Sequence, residues 1–373
     1  MKAKRSSNLE LLKILAMLLI IASHIMGGAI KPQLTEWVQN GWHTEYFCHP
    51  ILYKRLCILE IAVASGKIGN ALFLLISGYF LANKSSENID LTKKAKKLLL
   101  MMGYATTILV IVSAVCRSLF ENINSYVEFT LFNTATWWFV GYYFLVILFG
   151  KLFFNNIILR LDKKKYLMLV VTIFTVVQLG WSNSLICNLS NGLEIFVNGI
   201  FIYVLGGYIH KYNPFTQIRT WIFVAIVAVT YMIICIDYYI RTLSSINTYN
   251  AGSGEELFIQ NTFNGYDNRS LVVIIIAVAL FELFKRLPNF YSRVINYFGA
   301  ATFMVYLLHE NELGHAIWKH KDWLTPLYES SWKFALVFLM WIVGTFFVCS
   351  VLYSGYLLLG KVLNFLKPLA VKK

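Results

Sequence analysis

The chain is poor in charge and in proline. Only 14% of its 373 residues are Asp, Glu, Lys or Arg and 6 are proline, whereas 58% are hydrophobic. Soluble domains carry about 25% charged residues, so this composition argues against a soluble enzyme. The 6 cysteines form no C-x-x-C pair and no Cys/His spacing typical of zinc. We therefore predict no metal centre and unpaired thiols, with a Cys48–Cys57 disulfide as the alternative.

Long apolar runs take the place of charge. A helix needs about 20 apolar residues to cross a bilayer, and runs of this length recur from end to end. We predict an all-α, polytopic membrane bundle of about ten transmembrane helices, which forms a single domain over residues 1–373. The predicted spans are 9–29, 67–82, 98–119, 134–154, 166–186, 193–210, 219–241, 269–285, 294–315 and 333–360.

The distribution of basic residues predicts the orientation of the bundle. Lys and Arg near span ends are retained in the cytoplasm. With the N-terminus inside, 22 of the 33 Lys and Arg residues lie in cytoplasmic segments. We expect both termini in the cytoplasm, an uncleaved first span after the basic start MKAKR, and a multi-pass protein of the cell membrane. The excess of basic residues on the cytoplasmic side of the lipid bilayer then explains the net charge of +14 without a nucleic-acid partner.

The first span, NLELLKILAMLLIIASHI, contains three ionisable residues: Glu10, Lys13 and His24. Lys13 and His24 are eleven positions apart, which at 100° per residue puts them on one helix face, about 16 Å apart along the axis. Glu10 either closes an S-x-x-E capping box with Ser7 or pairs with Lys13. Because an ionisable group deep in a span is costly, His24 is either a satisfied structural histidine or a proton-transfer residue.

A second polar group ends the ninth span in the stretch ATFMVYLLHENELGH. His309 lies about as deep in its span as His24 does in the first, and Glu310 follows directly. The pair could orient a catalytic histidine or bind a polar substrate. The alternative is a polar cluster that closes the helix end at the membrane interface.

Further candidates lie at the two membrane surfaces. Ser77 and Tyr79 end the second span, and the run LTKKAKKLLL follows it. This run suits a phosphate-rich cytoplasmic ligand beside Lys13, or it simply meets anionic lipid. On the outer side, Trp138 fits an aromatic belt. The loop with Trp42 and His43 is either a sugar platform or an interfacial segment.

These stretches together resemble the acyltransferase-3 family of bacterial integral-membrane O-acyltransferases. The shared stretches, in chain order, are NLELLKILAM followed by His24, FLLISGYFL, WWFVGYYFLV, GGYIH and TFMVYLLHEN. The resemblance covers nearly the whole chain. Lys13 stands where the family usually has arginine, which keeps the charge but loses the bidentate geometry of the guanidinium group.

The resemblance implies transfer of an acyl group, commonly acetyl, from cytoplasmic acyl-CoA to a hydroxyl of an envelope glycan or lipid-linked glycan. Acyl-CoA would be a donor substrate, with no permanently bound cofactor. His24 would act as general base or in an acyl-enzyme relay. The donor site would comprise Lys13, Lys93, Lys94, Lys97, Ser77 and Tyr79, and the acceptor or orienting residues would be His309, Glu310, Glu10, Trp138, Trp42 and His43.

Two other functions fit the sequence as well. A transporter or exporter also buries ionisable residues, and a polysaccharide polymerase also has many spans. Transporters often have inverted repeats with broken helices, which are not visible here. The outer loops hold few arginines for a lipid pyrophosphate sugar. The acceptor, the acyl group and the formation of a homo-oligomer stay open.

Overall fold

The computed structural model describes residues 6–39, 50–116, 137–178, 191–250, 266 and 270–370. Within these ranges the regular structure is helical and contains no strand. Two π-helical turns, Met26–Ile30 and Gly150–Phe154, join consecutive helices. The helices are α1 (Ser7–Ile25), α2 (Lys31–Gln39), α3 (Pro50–Leu81), α4 (Leu91–Cys116), α5 (Trp138–Phe149), α6 (Asn155–Arg160), α7 (Lys163–Gln178), α8 (Asn191–Tyr212), α9 (Thr220–Asn250), α10 (Leu271–Lys285), α11 (Arg293–His309), α12 (Glu312–Lys319), α13 (Leu324–Glu329) and α14 (Ser331–Ala370).

The all-helical prediction is confirmed for the described residues. Seven of their helices are long and apolar enough to cross a membrane: Ser7–Leu34, Ile61–Leu81, Ser86–Val115, Trp138–Arg160, Leu193–Tyr212, Thr220–Arg241 and Ser331–Val362. The other three predicted spans coincide with α7, α10 and α11, which have 16, 15 and 17 residues in the described structure. Ten spans and cytoplasmic termini stay predictions.

Helix α1 lies in the middle of the bundle and packs against α3, α10, α11 and α14. Its Leu12, Ile21 and Ile25 are fully buried. Glycines of α3 allow the closest approach: a side chain at Gly66 would collide with Ser23, and one at Gly69 with the Ala16 carbonyl. The hydrophobic effect does not drive helices together within a bilayer. Small residues at such crossings instead let the two backbones approach closely, so that van der Waals packing stabilises the contact.

Helices α1 and α3 are antiparallel, and we name the two ends of the bundle after α1. The basal end is the end where α1 begins, and the apical end is the end where it finishes. At the basal end, the segment between α10 and α11 holds the start of α1, since Ser7 N donates to the Phe290 carbonyl at 3.0 Å and Asn8 Nδ2 to the Leu287 carbonyl at 2.6 Å.

The predicted capping box is wrong, because Ser7 makes other contacts. The residue before α1 is Ser6, and no side chain caps the helix there. The Ser7 hydroxyl instead accepts from Ser292 N at 2.8 Å and bonds Asn296 Oδ1 at 3.1 Å, which ties α1 to α11. Among the described thiols, Cys235 and Cys349 are free. The Cys48–Cys57 alternative involves Cys48, outside the described residues.

Candidate active site

Glu310 lies at a break between two helices. The ninth span was predicted to run to residue 315, but α11 ends at His309 and α12 begins at Glu312. Asn311 stabilises this break: its Oδ1 accepts from Gly314 N at 2.9 Å, and its Nδ2 donates to the Leu308 carbonyl at 2.9 Å. One amide thus caps the start of α12 and satisfies a terminal carbonyl of α11. The break directs the Glu310 carboxylate towards α1.

His24, His309 and Glu310 form one contact group at the apical end. His24 Nδ1 lies 2.5 Å from Glu310 Oε2 and 3.0 Å from His309 Nε2. The His309 residue is 1% exposed, whereas the side chains of His24 and Glu310 are 23% and 15% exposed. The structure therefore brings together two histidines 285 positions apart, together with the glutamate, as the sequence predicted.

Hydrogen bonding assigns roles to the ring nitrogens. His309 Nδ1 lies 2.6 Å from the Val305 carbonyl, which can only accept, so Nδ1 must carry a proton. His309 Nε2 is then an acceptor when the ring is neutral. His24 Nδ1 faces both this nitrogen and the Glu310 carboxylate, so it is the donor. This tautomer leaves the lone pair of His24 on Nε2, which suits a general base.

The same three residues offer a possible metal-ligand set. One ligand atom from each lies within 4.8 Å of the others. In a tetrahedral zinc site with bonds of about 2.0 Å, however, ligand atoms lie about 3.3 Å apart. The 2.5 Å between His24 Nδ1 and Glu310 Oε2 is a hydrogen-bonding distance. This spacing therefore fits an ion pair between imidazole and carboxylate better than two ligands of one zinc ion.

His315 is a second partner of Glu310 that the sequence did not single out. Its Nε2 lies 3.4 Å from Glu310 Oε2, and its ring stacks on Trp318 with centroids 5.5 Å apart. The π-helical turn after α1 makes room for this ring, because a side chain at Gly28 would meet the imidazole at 3.0 Å. Such turns occur often at functional sites.

An apical cavity of about 560 Å³ opens beside this group. It is lined from α1, the π-helical turn, α3 and α12. Tyr266 adds the only aromatic ring other than imidazole among its described lining residues. The lining comprises Ser23, His24, Gly27, Gly28, Pro32, Val63, Lys67, Tyr266, Glu310, His315 and Lys319.

A second, basal cavity of about 350 Å³ is lined by residues of α1, α3, α4, α5 and α11. Lys13, Lys94 and Lys97 line it, and most of the other lining residues are aromatic or aliphatic. Lys13 Nζ also pairs with Glu10 Oε1 at 2.9 Å, as one of the two sequence interpretations predicted. Ser77, a predicted donor-site residue, lines this cavity and donates to Tyr143 at 3.0 Å.

Tyr306 connects the basal cavity to the histidines. It lines the basal cavity, is 3% exposed, and its ring centroid lies 6.5 Å from that of His24 and 6.1 Å from that of His309. Sequence reasoning missed its role, although the motif TFMVYLLHEN contains it. On a helix, a residue three positions before His309 lies on the same face.

Several predicted site residues lie elsewhere. Lys93 lies in the first turn of α4, where its backbone N donates to Asp90 Oδ1 at 2.8 Å, and it does not line the basal cavity. Tyr79 packs against His210 and Phe281 on another face of α3. Trp138 is 38% exposed, packs against Tyr142 with ring centroids 5.7 Å apart, and lines neither cavity. Trp42 and His43 lie outside the described residues.

The family model described as "Acyltransferase domain" matches residues 6–354, nearly the whole chain. No curated protein and no solved structure matches it.

Proposed function

Because the chain belongs to this acyltransferase family, we propose that it moves an acyl group, acetyl in the simplest case, from acyl-CoA to a hydroxyl of a cell-envelope glycan. It is a membrane protein, and the proposal places it in the cell membrane with its basal end in the cytoplasm. Family membership favours an acyltransferase over the transporter and polymerase alternatives.

The basal cavity suits the donor. Its three lysines lie together near one end of the bundle, where they can neutralise the phosphates of coenzyme A. From Lys13 to His24 the axial distance along α1 is about 16 Å. An extended pantetheine arm can follow this face and bring the thioester to Tyr306. The apolar walls between the lysines and Tyr306 suit the uncharged part of the arm.

His24 then activates the acceptor. Its Nε2 takes the proton of the acceptor hydroxyl while the hydroxyl oxygen bonds to the thioester carbonyl carbon. The tetrahedral intermediate collapses, the carbon–sulfur bond breaks, and the thiolate leaves with the bonding electrons. The imidazolium of His24 returns its proton to the thiolate. The products are the acylated glycan and free coenzyme A.

Glu310 and Tyr306 support these steps. The Glu310 carboxylate against Nδ1 fixes the His24 tautomer and stabilises the imidazolium that forms, as the carboxylate of a catalytic triad does. The Tyr306 hydroxyl is buried at the inner end of the donor cavity. There it can donate to the carbonyl oxygen as negative charge develops on it.

One observation carries the proposal: His24 lines the apical cavity with Nδ1 beside a carboxylate, and its ring centroid lies 6.5 Å from that of Tyr306, which lines the basal cavity. A donor in the basal cavity and an acceptor in the apical cavity can therefore approach the same imidazole from opposite ends of the bundle.

The test is acetyl transfer by the purified protein in nanodiscs with radiolabelled acetyl-CoA, and the O-acetyl content of the glycan by NMR. His24→Ala should lower transfer by about 10²- to 10⁴-fold, the usual contribution of a general base. His320→Ala, an exposed histidine at the same end, is the matched control and should keep wild-type activity. Normal transfer by a stably inserted His24→Ala protein would overturn the assignment.

A further inference from the structure

We propose that the donor class extends to acyl-CoAs whose acyl chain is longer than acetyl, and that an apolar cavity beside His309 holds this chain. This cavity lies between α4, α11, α12 and α14, and we call it the lateral cavity. The inference rests on the proposed function, since it names a class of donor for the same transfer.

Aliphatic side chains from four helices line the lateral cavity, among them Leu109 of α4, Leu308 of α11, Ile317 of α12 and Leu352 of α14. Its volume is about 430 Å³, which falls in the range of about 300–1,000 Å³ that small-molecule sites have. One water molecule occupies about 30 Å³ in the liquid, so the cavity is much larger than the methyl group of an acetyl needs. The space therefore suits a chain of several methylene groups.

The polar side chains of the described lining make contacts within the protein. The two ring nitrogens of His309 contact the Val305 carbonyl at 2.6 Å and His24 at 3.0 Å. Trp318 Nε1 donates to Thr345 Oγ1 at 3.4 Å. These lining residues thus offer a ligand mainly hydrocarbon surface, and burial of an alkyl chain against it is favourable without hydrogen bonds.

The lateral cavity continues the basal cavity along the same two helices. On α4, Lys94 and Met101 line the basal cavity and Ile108 lines the lateral one, at intervals of seven positions, so all three share one helix face. On α11, Tyr306 lines the basal cavity, and His309, three positions later, lines the lateral one. Their ring centroids lie 6.1 Å apart. The end of the proposed donor site is therefore next to the lateral cavity.

This arrangement gives each arm of the thioester its own space. With the carbonyl at Tyr306, the basal cavity holds the coenzyme A arm on the sulfur side, and the lateral cavity takes the alkyl chain on the other side. The transfer step is unchanged. The acceptor oxygen bonds to the carbonyl carbon, the carbon–sulfur bond breaks, and the acceptor proton passes through His24 to the thiolate.

Helix α12 separates the lateral cavity from the proposed acceptor site. His315 and Lys319 line the apical cavity, whereas Ile317 and Trp318 line the lateral one. A lipid chain attached to the acceptor would have to pass around α12 to enter the lateral cavity, but an acyl chain at Tyr306 would not. The position of the cavity therefore favours the donor chain as its occupant.

The lateral cavity also opens towards the hydrocarbon around the bundle. Met340 and Val348 line it and are 64% and 58% exposed. A chain that is longer than the cavity can therefore continue into the bilayer. A bilayer lipid and the isoprenoid chain of a lipid-linked acceptor are the other occupants that such an opening admits, and the experiment distinguishes them.

Gly344→Leu should shorten the range of donors. Gly344 lines the lateral cavity, and a Cβ atom added there meets nothing within 4 Å, so the larger side chain can extend into the space. Transfer is measured with the full-length protein in nanodiscs and with acetyl-, butyryl-, hexanoyl- and octanoyl-CoA. The ratio of kcat/KM for octanoyl-CoA to kcat/KM for acetyl-CoA should fall about tenfold, the lower end of what one methylene group decides in an apolar pocket.

Gly360→Leu is the matched control. Gly360 lies on the same helix, also has nothing within 4 Å of an added Cβ atom, and does not line the lateral cavity. Both variants gain the same side chain, and partition of the donor into the bilayer is the same for both. The ratio for Gly360→Leu should equal that of the wild type.

A measurement on the wild-type protein does not depend on how the variants fold. An octanoyl-CoA analogue with a diazirine at the end of its chain should cross-link to α12 or α14 beside the lateral cavity, and excess octanoyl-CoA should remove these cross-links. Labelling near Gly360 from the bilayer should not respond to octanoyl-CoA. Peptide mass spectrometry locates the cross-links.

The outcomes separate the two proposals. A wild type that uses acetyl-CoA but none of the longer donors, equal ratios for Gly344→Leu and Gly360→Leu, or cross-links that octanoyl-CoA does not remove would each overturn this inference, while the proposed function would stand. Loss of transfer by Gly344→Leu from every donor to a polyprenyl phosphate sugar, but not to a lipid-free glycan, would also overturn it and assign the cavity to the acceptor lipid. A wild type that transfers no acyl group contradicts the proposed function instead.

Discussion

The basal and apical cavities differ in the residues that line them. The basal cavity combines the cations Lys13, Lys94 and Lys97 with a mostly aromatic and aliphatic lining that includes Tyr306 but neither histidine of the contact group. In the apical cavity, charged and polar groups surround the imidazole itself. The first arrangement suits a long ligand with a phosphate head and a neutral arm, and the second suits a compact polar group that reacts where it binds.

The difference teaches how one histidine can serve two substrates without mixing them. A donor held by distant charges presents only its neutral, reactive end to His24. An acceptor held by close charges brings its hydroxyl to the same nitrogen from the other side. If this division is correct, substitutions in one cavity should change the kinetics of one substrate and leave the other unaffected.

The largest expected effect in the apical cavity follows Glu310→Gln. The amide keeps the size of the side chain but cannot stabilise a His24 imidazolium. We expect kcat for acetyl transfer to fall about 10²-fold, the lower end of a general base contribution, with an unchanged KM for acetyl-CoA. Steady-state kinetics with both substrates varied gives the answer.

The control for this variant is Glu329→Gln, which removes an exposed carboxylate paired with Lys333 at the apical end. It should have wild-type kinetics. A rise in the KM for acetyl-CoA without a fall in kcat would place Glu310 in the donor site and break the division between the cavities.

The sequence predicted the basal cavity better than the apical one, for a physical reason. Lys13 and His24 lie on one helix, where a period of 3.6 residues fixes their relative position. Lys94 and Lys97 belong to a single basic run. His315 and Lys319, by contrast, approach His24 only because α11 breaks at Glu310 and α12 folds back over the π-helical turn. No periodicity in the sequence indicates that break, and the continuous span predicted to residue 315 was wrong there.

The depth of His309 relative to His24 was predicted correctly, because depth within a span follows from counting residues along the helix. Both α1 and α11 begin at the basal end, so equal counts along them lead to equal heights. Depth alone does not tell which face of a helix meets a cavity: Ser77 lines the basal cavity, whereas Tyr79, two positions later on the same helix, packs against His210.

A smaller effect is expected in the basal cavity from Lys13→Glu. The new carboxylate would stand beside Glu10 and repel the phosphates of coenzyme A, so the KM for acetyl-CoA should rise about tenfold, or about 1.4 kcal/mol. Lys13→Arg should keep donor binding, because it retains the charge. Both variants should leave the KM of the glycan acceptor unchanged.

Lys93→Glu is the matched control, since Lys93 belongs to the same basic run as Lys94 and Lys97 but does not line the cavity. Its donor KM should equal that of the wild type. Equal donor affinity for the wild type and Lys13→Glu would instead mean that Lys13 serves only to pair with Glu10.

Gly28→Ala should have a still smaller effect, confined to the apical cavity. The added methyl group would meet the His315 ring at 3.0 Å, so the ring must move by a few tenths of an ångström and its contact with Glu310 changes. We expect kcat to fall about two- to fivefold, since misplacement by about 1 Å near an active site can cost 10²-fold. Gly103→Ala, whose methyl group meets nothing within 4 Å, is the control and should retain full activity.

Removal of metal ions is expected to have no effect on acetyl transfer. His24, His309 and Glu310 are close enough to offer a ligand set, and a bound ion would occupy Nδ1 of His24 and couple the two cavities through a metal. The 2.5 Å between His24 Nδ1 and Glu310 Oε2 is shorter than the spacing of two ligand atoms on one tetrahedral zinc ion, so prolonged dialysis against EDTA should leave acetyl transfer within about twofold of the untreated protein. Elemental analysis of the dialysed sample shows that the treatment worked. Activity that is lost on dialysis and restored by zinc alone would place an ion between the histidines, and Glu310→Gln would then be expected to weaken zinc binding as well as catalysis.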